Sequence, residues 1–216
     1  MMRVVQVPNG TFLENTWIVV DEAAGECAVI DPGEEAGLVL HQVAETGARV
    51  AAIWLTHAHL DHVMGVGRIR AATGAPVYLH AADRRLYDAV PEQAAAFGVV
   101  AEAPPAPDRS WVHGDVARVG SLEFAVRHVP GHSPGHVALV GHGVVFGGDT
   151  LFAGSIGRAD LPGGDLATLV DGIRRELLSL PDDTVVHSGH GPDTTIGAER
   201  RGNPFLTGAT GAFRFS

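Results

Sequence analysis

The sequence contains no lysine and a single cysteine, and each scarcity excludes a kind of chemistry. All 15 basic residues are arginine, which rules out a Schiff-base lysine and the lysine of a phosphate-binding loop. Cys27 has no cysteine partner for a disulfide within the chain. Its position in the apolar run C-A-V-I predicts a buried strand residue and not a catalytic thiol.

Long hydrophobic runs and an excess of basic charge are also missing. No apolar stretch approaches the roughly 20 residues that a membrane-spanning helix needs. The first residues, M-M-R-V-V-Q-V-P-N-G, lack the features of a signal peptide. The formal net charge of -10 argues against a basic surface for nucleic acid or anionic lipid. We therefore expect a cytoplasmic protein that binds neither nucleic acid nor membranes.

Strand and helix patterns alternate along the chain, which predicts a layered α/β fold. Three strands are expected before the turn D-P-G at 31–33, then a helix that ends at Gly47, then the apolar strand A-A-I-W-L-T. Two hairpins are predicted, around G-S at 120–121 and G-H-G at 141–143. Strands dominate both halves, so we expect two packed sheets covered by helices, in one domain spanning residues 1–216.

The clearest predicted helix runs through D-L-A-T-L-V-D-G-I-R-R-E-L-L-S-L. Asp165 is expected to cap its N-terminus. One face of this helix is predicted to be apolar, and its residues are Leu166, Leu169, Val170, Ile173 and Leu177.

Four segments place histidine or aspartate directly after a predicted strand. They are T-H-A-H-L-D-H at 56–62, P-G-H-S-P-G-H at 130–136, G-G-D-T-L-F at 147–152 and S-G-H-G at 188–191. In α/β folds, functional sites collect at the carboxyl ends of strands, so these four segments can meet.

Seven residues of these segments are predicted to converge as metal ligands. Imidazoles and carboxylates without thiolates suit Zn²⁺, Fe²⁺ or Mn²⁺, and an odd number of ligands fits two metals that share one carboxylate. One metal is predicted to bind His57, His59 and His132, and the other Asp61, His62 and His190. Asp149 is predicted to bridge the two metals. For His136 two roles stay open, a hydrogen bond to a ligand or support of the P-G-H-S-P-G-H turn.

In this order, the four motifs resemble those of the metallo-β-lactamase superfamily, and within it the short, single-domain glyoxalase II-like hydrolases. The similarity extends from Arg3 to about Phe205. It implies a four-layer αββα sandwich with a dinuclear site between the sheet edges, and it gives the seven residues above their ligand roles. It also implies two divalent metal ions, zinc in the first place, with iron or manganese as alternatives.

One position departs from the pattern of glyoxalase II itself. The lysine that follows the bridging aspartate in that family is matched here by Arg158, in G-S-I-G-R-A-D, and the aromatic residue two positions later by Asp160. The sequence leaves two roles open for Arg158. Its guanidinium can bind a substrate carboxylate, or it can form an ion pair with Asp160.

The ligand set and the resemblance together predict a hydrolase that acts on a small acyl-thiol. A hydroxide held between the two metals would attack the carbonyl, and Asp61 would orient this nucleophile or accept its proton. The motifs contain no further general acid. A thiolate can leave without being protonated by such an acid, because the pKa of a thiol is about 8.5. We therefore expect a thioester similar to S-lactoylglutathione as the substrate.

Other functions would use the same residues. A single iron bound by His57, His132 and Asp149 fits a persulfide dioxygenase, a class with a similar G-R-x-D stretch. A lactone or β-lactam hydrolase would need the same two metals. The end of the chain, N-P-F-L-T-G-A-T-G-A-F-R-F-S, can pack on its own domain or on a second copy, which leaves a homo-oligomer open.

Overall fold

Two mixed β-sheets form the centre of the computed structural model, which describes residues 1–208. The first sheet contains six strands in chain order: β1 (Met2–Asn9), β2 (Glu14–Asp21), β3 (Glu26–Ile30), β4 (Arg49–Trp54), β5 (Val77–His80) and β6 (Arg109–Trp111). The first three strands pair antiparallel, and β3 to β6 pair parallel.

The second sheet is built from the later part of the chain. Its strands are β7 (Val116–Val119), β8 (Leu122–His128), β9 (Val137–Gly141) and β10 (Val144–Gly148), and, after the two-stranded ribbon β11 (Leu151–Phe152) and β12 (Ser155–Ile156), β13 (Val185–Ser188) and β14 (Thr194–Thr195). Their order is β14-β13-β10-β9-β8-β7. The pair of β10 and β13 is parallel and the other pairs are antiparallel.

Helices occupy the outer faces of both sheets. They are α1 (Ala36–Thr46), α2 (Leu60–Val63), α3 (Val66–Thr73), α4 (Arg84–Asp88), α5 (Val90–Ala96), α6 (Leu166–Gly172), α7 (Ile196–Gly202) and α8 (Pro204–Thr207). Gly47 ends α1 in the left-handed conformation, as predicted, since glycine adopts this conformation without a Cβ clash. Pro91 lies in the first turn of α5, just after the junction between α4 and α5, where a proline is tolerated because its missing N–H would have no helical partner.

Three apolar cores separate the layers. Strand β2 contributes to two of them, because its side chains alternate between the faces of the sheet. Ile18 and Val20 face the helices α1 and α3, whereas Trp17 and Val19 face the second sheet. A third core packs α6 against the outer face of the second sheet. This is the four-layer αββα sandwich that the sequence resemblance implied, and the predicted hairpins are also confirmed.

The apolar face predicted for α6 packs on the second sheet except at its first residue. Leu169, Ile173 and Leu177 are fully buried, but Leu166 is 41% exposed. It lies in the first turn, where it borders a surface cavity beside Phe205 and does not reach the sheet. Beyond Gly172 the chain continues as a wider π-helical turn, Ile173–Leu177, which the apolar pattern did not indicate.

Two further expectations concern the membrane and the chain end. None of the helices in the described part of the chain is both long and apolar enough to cross a bilayer. Phe205, in α8, packs against the third core. The rest of the phenylalanine-rich end, residues 209–216, lies outside the described residues, so its packing stays open.

Asp21 joins the two sheets and makes stability depend on pH. Its carboxylate is buried and accepts hydrogen bonds from the backbone and hydroxyl of Ser121, both at 2.7 Å. These hydrogen bonds lower the pKa of Asp21 to about 2. In the unfolded chain the pKa of this carboxyl is about 3.9, so as the pH falls the unfolded state binds the proton before the folded state does. The stabilisation by Asp21 is therefore complete above about pH 4 and is lost as the pH falls through about 2.

We expect Asp21→Asn to unfold at lower urea than the wild type at neutral pH, and the difference to disappear between about pH 4 and 2. Urea midpoints at several pH values measure this. Asp88→Asn is the control, because Asp88 pairs with Arg84 on the exposed surface. A difference that stays constant down to pH 2 would contradict the hydrogen-bonded, ionised state of Asp21.

Candidate metal centre

The structure brings all seven predicted ligands to one edge of the sandwich. His57 follows β4, His59 precedes α2, and Asp61 and His62 lie within α2. The other three follow strands of the second sheet: His132 after β8, Asp149 after β10 and His190 after β13. Their convergence follows from the carboxyl ends of strands in both sheets facing the same edge.

The first group is formed by three buried histidines, His57, His59 and His132. One ring nitrogen of each lies within 4.8 Å of the others. The Nε2 atom of His132 is 2.7 Å from Nδ1 of His59 and 3.2 Å from Nε2 of His57. Three imidazole nitrogens this close together are a donor set that zinc sites use.

The second group contains Asp61, His62 and His190, whose ligand atoms also lie within 4.8 Å of one another. Oδ2 of Asp61 is 3.1 Å from Nε2 of His190 and 3.6 Å from Nε2 of His62. His62 is buried, whereas the side chain of His190 is 30% exposed. The second group is therefore the one that is open to solvent.

Asp149 lies between the two groups. Its Oδ1 atom is 3.4 Å from Nε2 of His62, and its Oδ2 atom is 3.5 Å from Nε2 of His132 and 3.6 Å from Nε2 of His190. One carboxylate therefore faces histidines of both groups at similar distances.

The buried polar atoms of this cluster are those that a cation would satisfy. His62 Nε2 and Asp149 Oδ1, which face each other across the cluster at 3.4 Å, are buried and have no hydrogen-bond partner within residues 1–208. Unpaired buried polar atoms are uncommon and call for a missing partner. The donors are imidazole nitrogens and carboxylate oxygens, which suit Zn²⁺, Fe²⁺ and Mn²⁺.

Electrostatics differ between the two groups. Burial lowers the pKa of His57 far below its ordinary value and that of His59 to about 3, so both rings are neutral, as metal ligands must be. Burial also opposes charge on His62, but Asp61 and Asp149 outweigh it and raise the pKa of His62. Burial by itself would raise the pKa of Asp149, but the nearby His62 and His132 outweigh burial, so the pKa of Asp149 is lowered overall. The second group thus carries carboxylate charge that favours a cation.

Asp31 is a part of this site that the sequence reasoning missed. Its pattern D-P-G indicated a turn, yet the Asp31 carboxylate accepts hydrogen bonds from the backbone and hydroxyl of Thr56 and lies 3.1 Å from Nδ1 of His62. Asp31 has a φ of 49°, a left-handed conformation that is strained for an ordinary residue. A carboxylate on the far nitrogen of a ligand histidine fixes the tautomer and orientation of the ring.

His132 and His136 are held by backbone groups. Nδ1 of His132 lies 2.7 Å from the carbonyl oxygen of Arg158, which leaves Nε2 to face the cluster. Nε2 of His136 accepts a hydrogen bond from the backbone N–H of Asp149, and its ring stacks on His57 at 4.7 Å. Of the two roles left open for His136, the structure favours the first, because its hydrogen-bond partner Asp149 is one of the predicted ligands.

Asp83 is a second residue that the sequence did not indicate. It is buried between the first two motifs and accepts hydrogen bonds from the backbone of Ala58, the hydroxyl of Ser133 and the backbone of Gly135. One carboxylate therefore connects the T-H-A-H-L-D-H and P-G-H-S-P-G-H segments.

Arg158 forms the ion pair that was one of its two predicted roles. Nε and Nη2 donate to the two carboxylate oxygens of Asp160 at 2.7 and 2.8 Å. Arg158 also borders a cavity of about 330 Å³ that contains His59, Asp61, His132, Asp149 and His190 in its wall. Five of the seven predicted ligands, drawn from both groups and including Asp149, are therefore reachable from a single cleft.

Gly189 is required by the close approach of β13 to the ligands. A Cβ atom at this position would lie 2.2 Å from Oδ1 of Asp149 and 2.8 Å from Cε1 of His62. We expect Gly189→Ala to weaken metal binding about 10- to 100-fold by displacing Asp149, measured by competition with a chelator. Gly202→Ala is the control, since its added methyl group meets no atom within 4 Å. Equal metal affinity in both variants would contradict this packing.

Histidines and aspartates at the strand ends of a double-sheet sandwich define a metal-binding α/β protein. A family model described as the metallo-beta-lactamase superfamily matches residues 9–190. The hydroxyacylglutathione hydrolase GloC of Haemophilus influenzae is 38% identical, over 95% of this chain and 98% of that protein.

Two solved structures are similar over nearly the whole chain. The crystal structure of BLEG-1 B3 metallo-beta-lactamase has a TM-score of 0.89 and 37% identity, covering 95% of this chain and 100% of that one. TTHA1623 in a di-iron-bound form has a TM-score of 0.86 and 45% identity, covering 94% and 100%. The chain belongs to the metallo-beta-lactamase superfamily. It is a metal-dependent hydrolase with histidine and aspartate metal-binding groups.

Proposed function

We propose that the protein hydrolyses a thioester at a centre of two divalent metal ions. The observation that carries the proposal is the position of Asp149, whose two oxygens lie 3.4 to 3.6 Å from ring nitrogens of His62, His132 and His190. A carboxylate between two three-residue groups is the arrangement of a bridging ligand.

The proposed ligands follow the two groups. His57, His59 and His132 would hold one ion, Asp61, His62 and His190 the other, and Asp149 would contact both. Zinc is the proposed metal, with iron or manganese as alternatives; the di-iron form of TTHA1623 is a reason to measure iron first. Two such ions supply Lewis acidity, which activates water and polarises a carbonyl.

Asp61 is the proposed catalytic residue of the chain itself. Its carboxylate lies in the cavity wall and is 18% exposed, so it can reach both a ligand and the solvent. Burial would raise the pKa of Asp61, but the neighbouring His62 and a hydrogen bond with His190 lower it overall. The ionised carboxylate can orient the attacking water and accept its proton.

The leaving group favours a thioester over an ester or amide. A thiolate departs without a proton, because thiol pKa values lie near about 8.5. Apart from the proposed ligands, the cavity wall contains no carboxyl group and no histidine that could act as a second acid among the described residues. The printed name of the Haemophilus influenzae relative, a hydroxyacylglutathione hydrolase, also supports a thioester.

The setting of the reaction is part of the proposal. We propose one domain spanning residues 1–216, located in the cytoplasm, with a small acyl-thiol as its partner and neither nucleic acid nor membrane. The net charge of -10 supports the absence of a nucleic-acid surface. Arg158 would contact the substrate at the cavity rim while it stays paired with Asp160.

The test is metal content per chain, measured on protein purified without added metal, together with assays on the same sample. Near two ions with thiol release from thioesters would support the proposal. Opening of a β-lactam without thiol release would favour a β-lactamase instead. This assay is included because the chain is similar to the BLEG-1 B3 metallo-beta-lactamase. Near one iron, with persulfide-dependent O₂ uptake and no thiol release, would favour a persulfide dioxygenase.

A further inference from the structure

The cavity beside the metal centre has an apolar wall. Five of the side chains that border it outside the proposed ligands are hydrocarbon, and they are Phe12, Leu60, Phe97, Phe152 and Leu161. The remaining two wall residues are Gln93 and Arg158. The cavity volume of about 330 Å³ lies at the small end of the range for ligand sites.

Both polar residues of this wall are already engaged within the protein. The amide oxygen of Gln93 accepts from the backbone N–H of Leu60, and its amide nitrogen donates to the carbonyl oxygens of Ala58 and Leu86. The guanidinium of Arg158 donates to both oxygens of Asp160. A substrate carboxylate would therefore lose water against hydrocarbon and meet no unpaired cation of the wall.

Two aromatic residues meet at the rim. Phe12 lies in the loop between β1 and β2, and Phe97 directly follows α5. Their rings are in edge-to-face contact, with centroids 5.5 Å apart and an angle of 82°. Phe97 remains 52% exposed, so much of its apolar surface is available to cover a ligand. Across the cavity, Phe152 lies against His190 with centroids 6.3 Å apart.

We infer that this wall selects a substrate with an uncharged hydrocarbon group of about the size of a phenyl ring next to the reacting carbonyl, held against Phe12 and Phe97. The inference rests on the proposed thioester hydrolysis and narrows its substrate class. The hydrocarbon group can belong to the acyl part or to the thiol, and both present the same chemistry to the wall. A charged thiol such as glutathione, which carries two carboxylates and an ammonium group, does not match it.

Two series of thioesters distinguish a hydrocarbon group in the acyl part of the substrate from one in the thiol. The first contains acetyl, phenylacetyl and succinyl thioesters of N-acetylcysteamine, and the second contains acetyl thioesters of benzyl mercaptan and 3-mercaptopropionate. In one of the two series we expect kcat/KM of the aromatic thioester to exceed that of the charged thioester about tenfold or more. The series that shows this preference tells whether the hydrocarbon group belongs to the acyl part or to the thiol. Equal values, or a preference for the charged member, in both series would overturn the inference.

Variants of the aromatic pair test the residues. Phe12→Ala and Phe97→Ala are expected to reduce the preference for the aromatic thioester about tenfold, mainly through KM, and Phe97→Leu to retain most of it. Val100→Ala is the matched control, because Val100 is 93% exposed and lies outside the cavity wall. An equal loss for aromatic and charged thioesters would indicate a general structural effect and overturn the role of the pair.

A further variant tests why charged substrates are expected to react slowly. Asp160→Asn removes the partner of Arg158, so we expect it to raise kcat/KM for the succinyl or mercaptopropionate thioester severalfold relative to the wild type. No change would mean that Arg158 is not what limits charged substrates, which contradicts the argument from its pairing.

A binding measurement keeps the inference separate from the proposed function. If the wild type hydrolyses no thioester, the proposed function fails. Calorimetric titration with a benzyl thioether and a carboxymethyl thioether of N-acetylcysteamine then decides the inference by itself. Tighter binding of the benzyl compound that is lost in Phe97→Ala supports it, and equal binding of the two compounds overturns it.

Discussion

The Asp149→Asn variant is expected to lose at least one of the two proposed metal ions and to reduce kcat/KM about 100-fold or more. The substitution preserves size but removes the charge that lies between His62, His132 and His190. An amide also turns one of the two oxygens into a nitrogen donor, which cannot bind a cation. Metal analysis of the purified variant measures the first effect and steady-state kinetics the second.

Asp88→Asn is the matched control for this substitution. Asp88 pairs with Arg84 on the surface, with its side chain 56% exposed, so its charge does not reach the metal centre. It should retain full metal content and activity. Unchanged metal content and unchanged hydrolysis in Asp149→Asn would contradict the bridging role.

The Asp83→Ala variant is expected to be about 3 kcal/mol less stable than the wild type in the metal-free state, and to bind metal about 10- to 100-fold more weakly. It leaves the three donors of Ala58, Ser133 and Gly135 buried and unpaired, at about 1 to 3 kcal/mol each. The weaker metal binding follows because His57, His59 and His132 lie on the two segments that Asp83 connects.

Urea unfolding and chelator competition measure the two effects of Asp83→Ala. Ser133→Ala is the control, because it removes one of the three hydrogen bonds and is expected to lower stability by about 1 kcal/mol. If Asp83→Ala weakened metal binding no more than Ser133→Ala does, Asp83 would be a stabilising residue without a role in positioning the ligands.

The local parts of the fold were predictable because short-range patterns govern them. Gly47 ends a helix by its left-handed conformation, and Asp165 caps α6 by accepting from the backbone of Thr168. The turn between β7 and β8 follows from Gly120 at a positive φ between two alternating runs. The exposure of Leu166 could not be predicted, because helical periodicity does not show where the sheet beneath the helix ends.

The sequence by itself determined the seven proposed ligands and the layered α/β fold. Each ligand lies within a few residues of a strand end or in the short helix α2 that follows β4, so its position relative to that strand is set by neighbouring residues. Residue type also restricts the chemistry, because histidine and aspartate without thiolate suit a small set of divalent metals.

The tertiary structure alone decided which other residues serve the site. Asp31 and Asp83 each bind backbone atoms 25 residues away, and Phe97 meets Phe12 across two different elements. An aspartate after a strand has the same local pattern whether it makes a turn or accepts a buried hydrogen bond. The physical reason is that the partners of a buried carboxylate or an exposed aromatic ring are brought to it by strand pairing and helix packing between segments that are far apart in the chain.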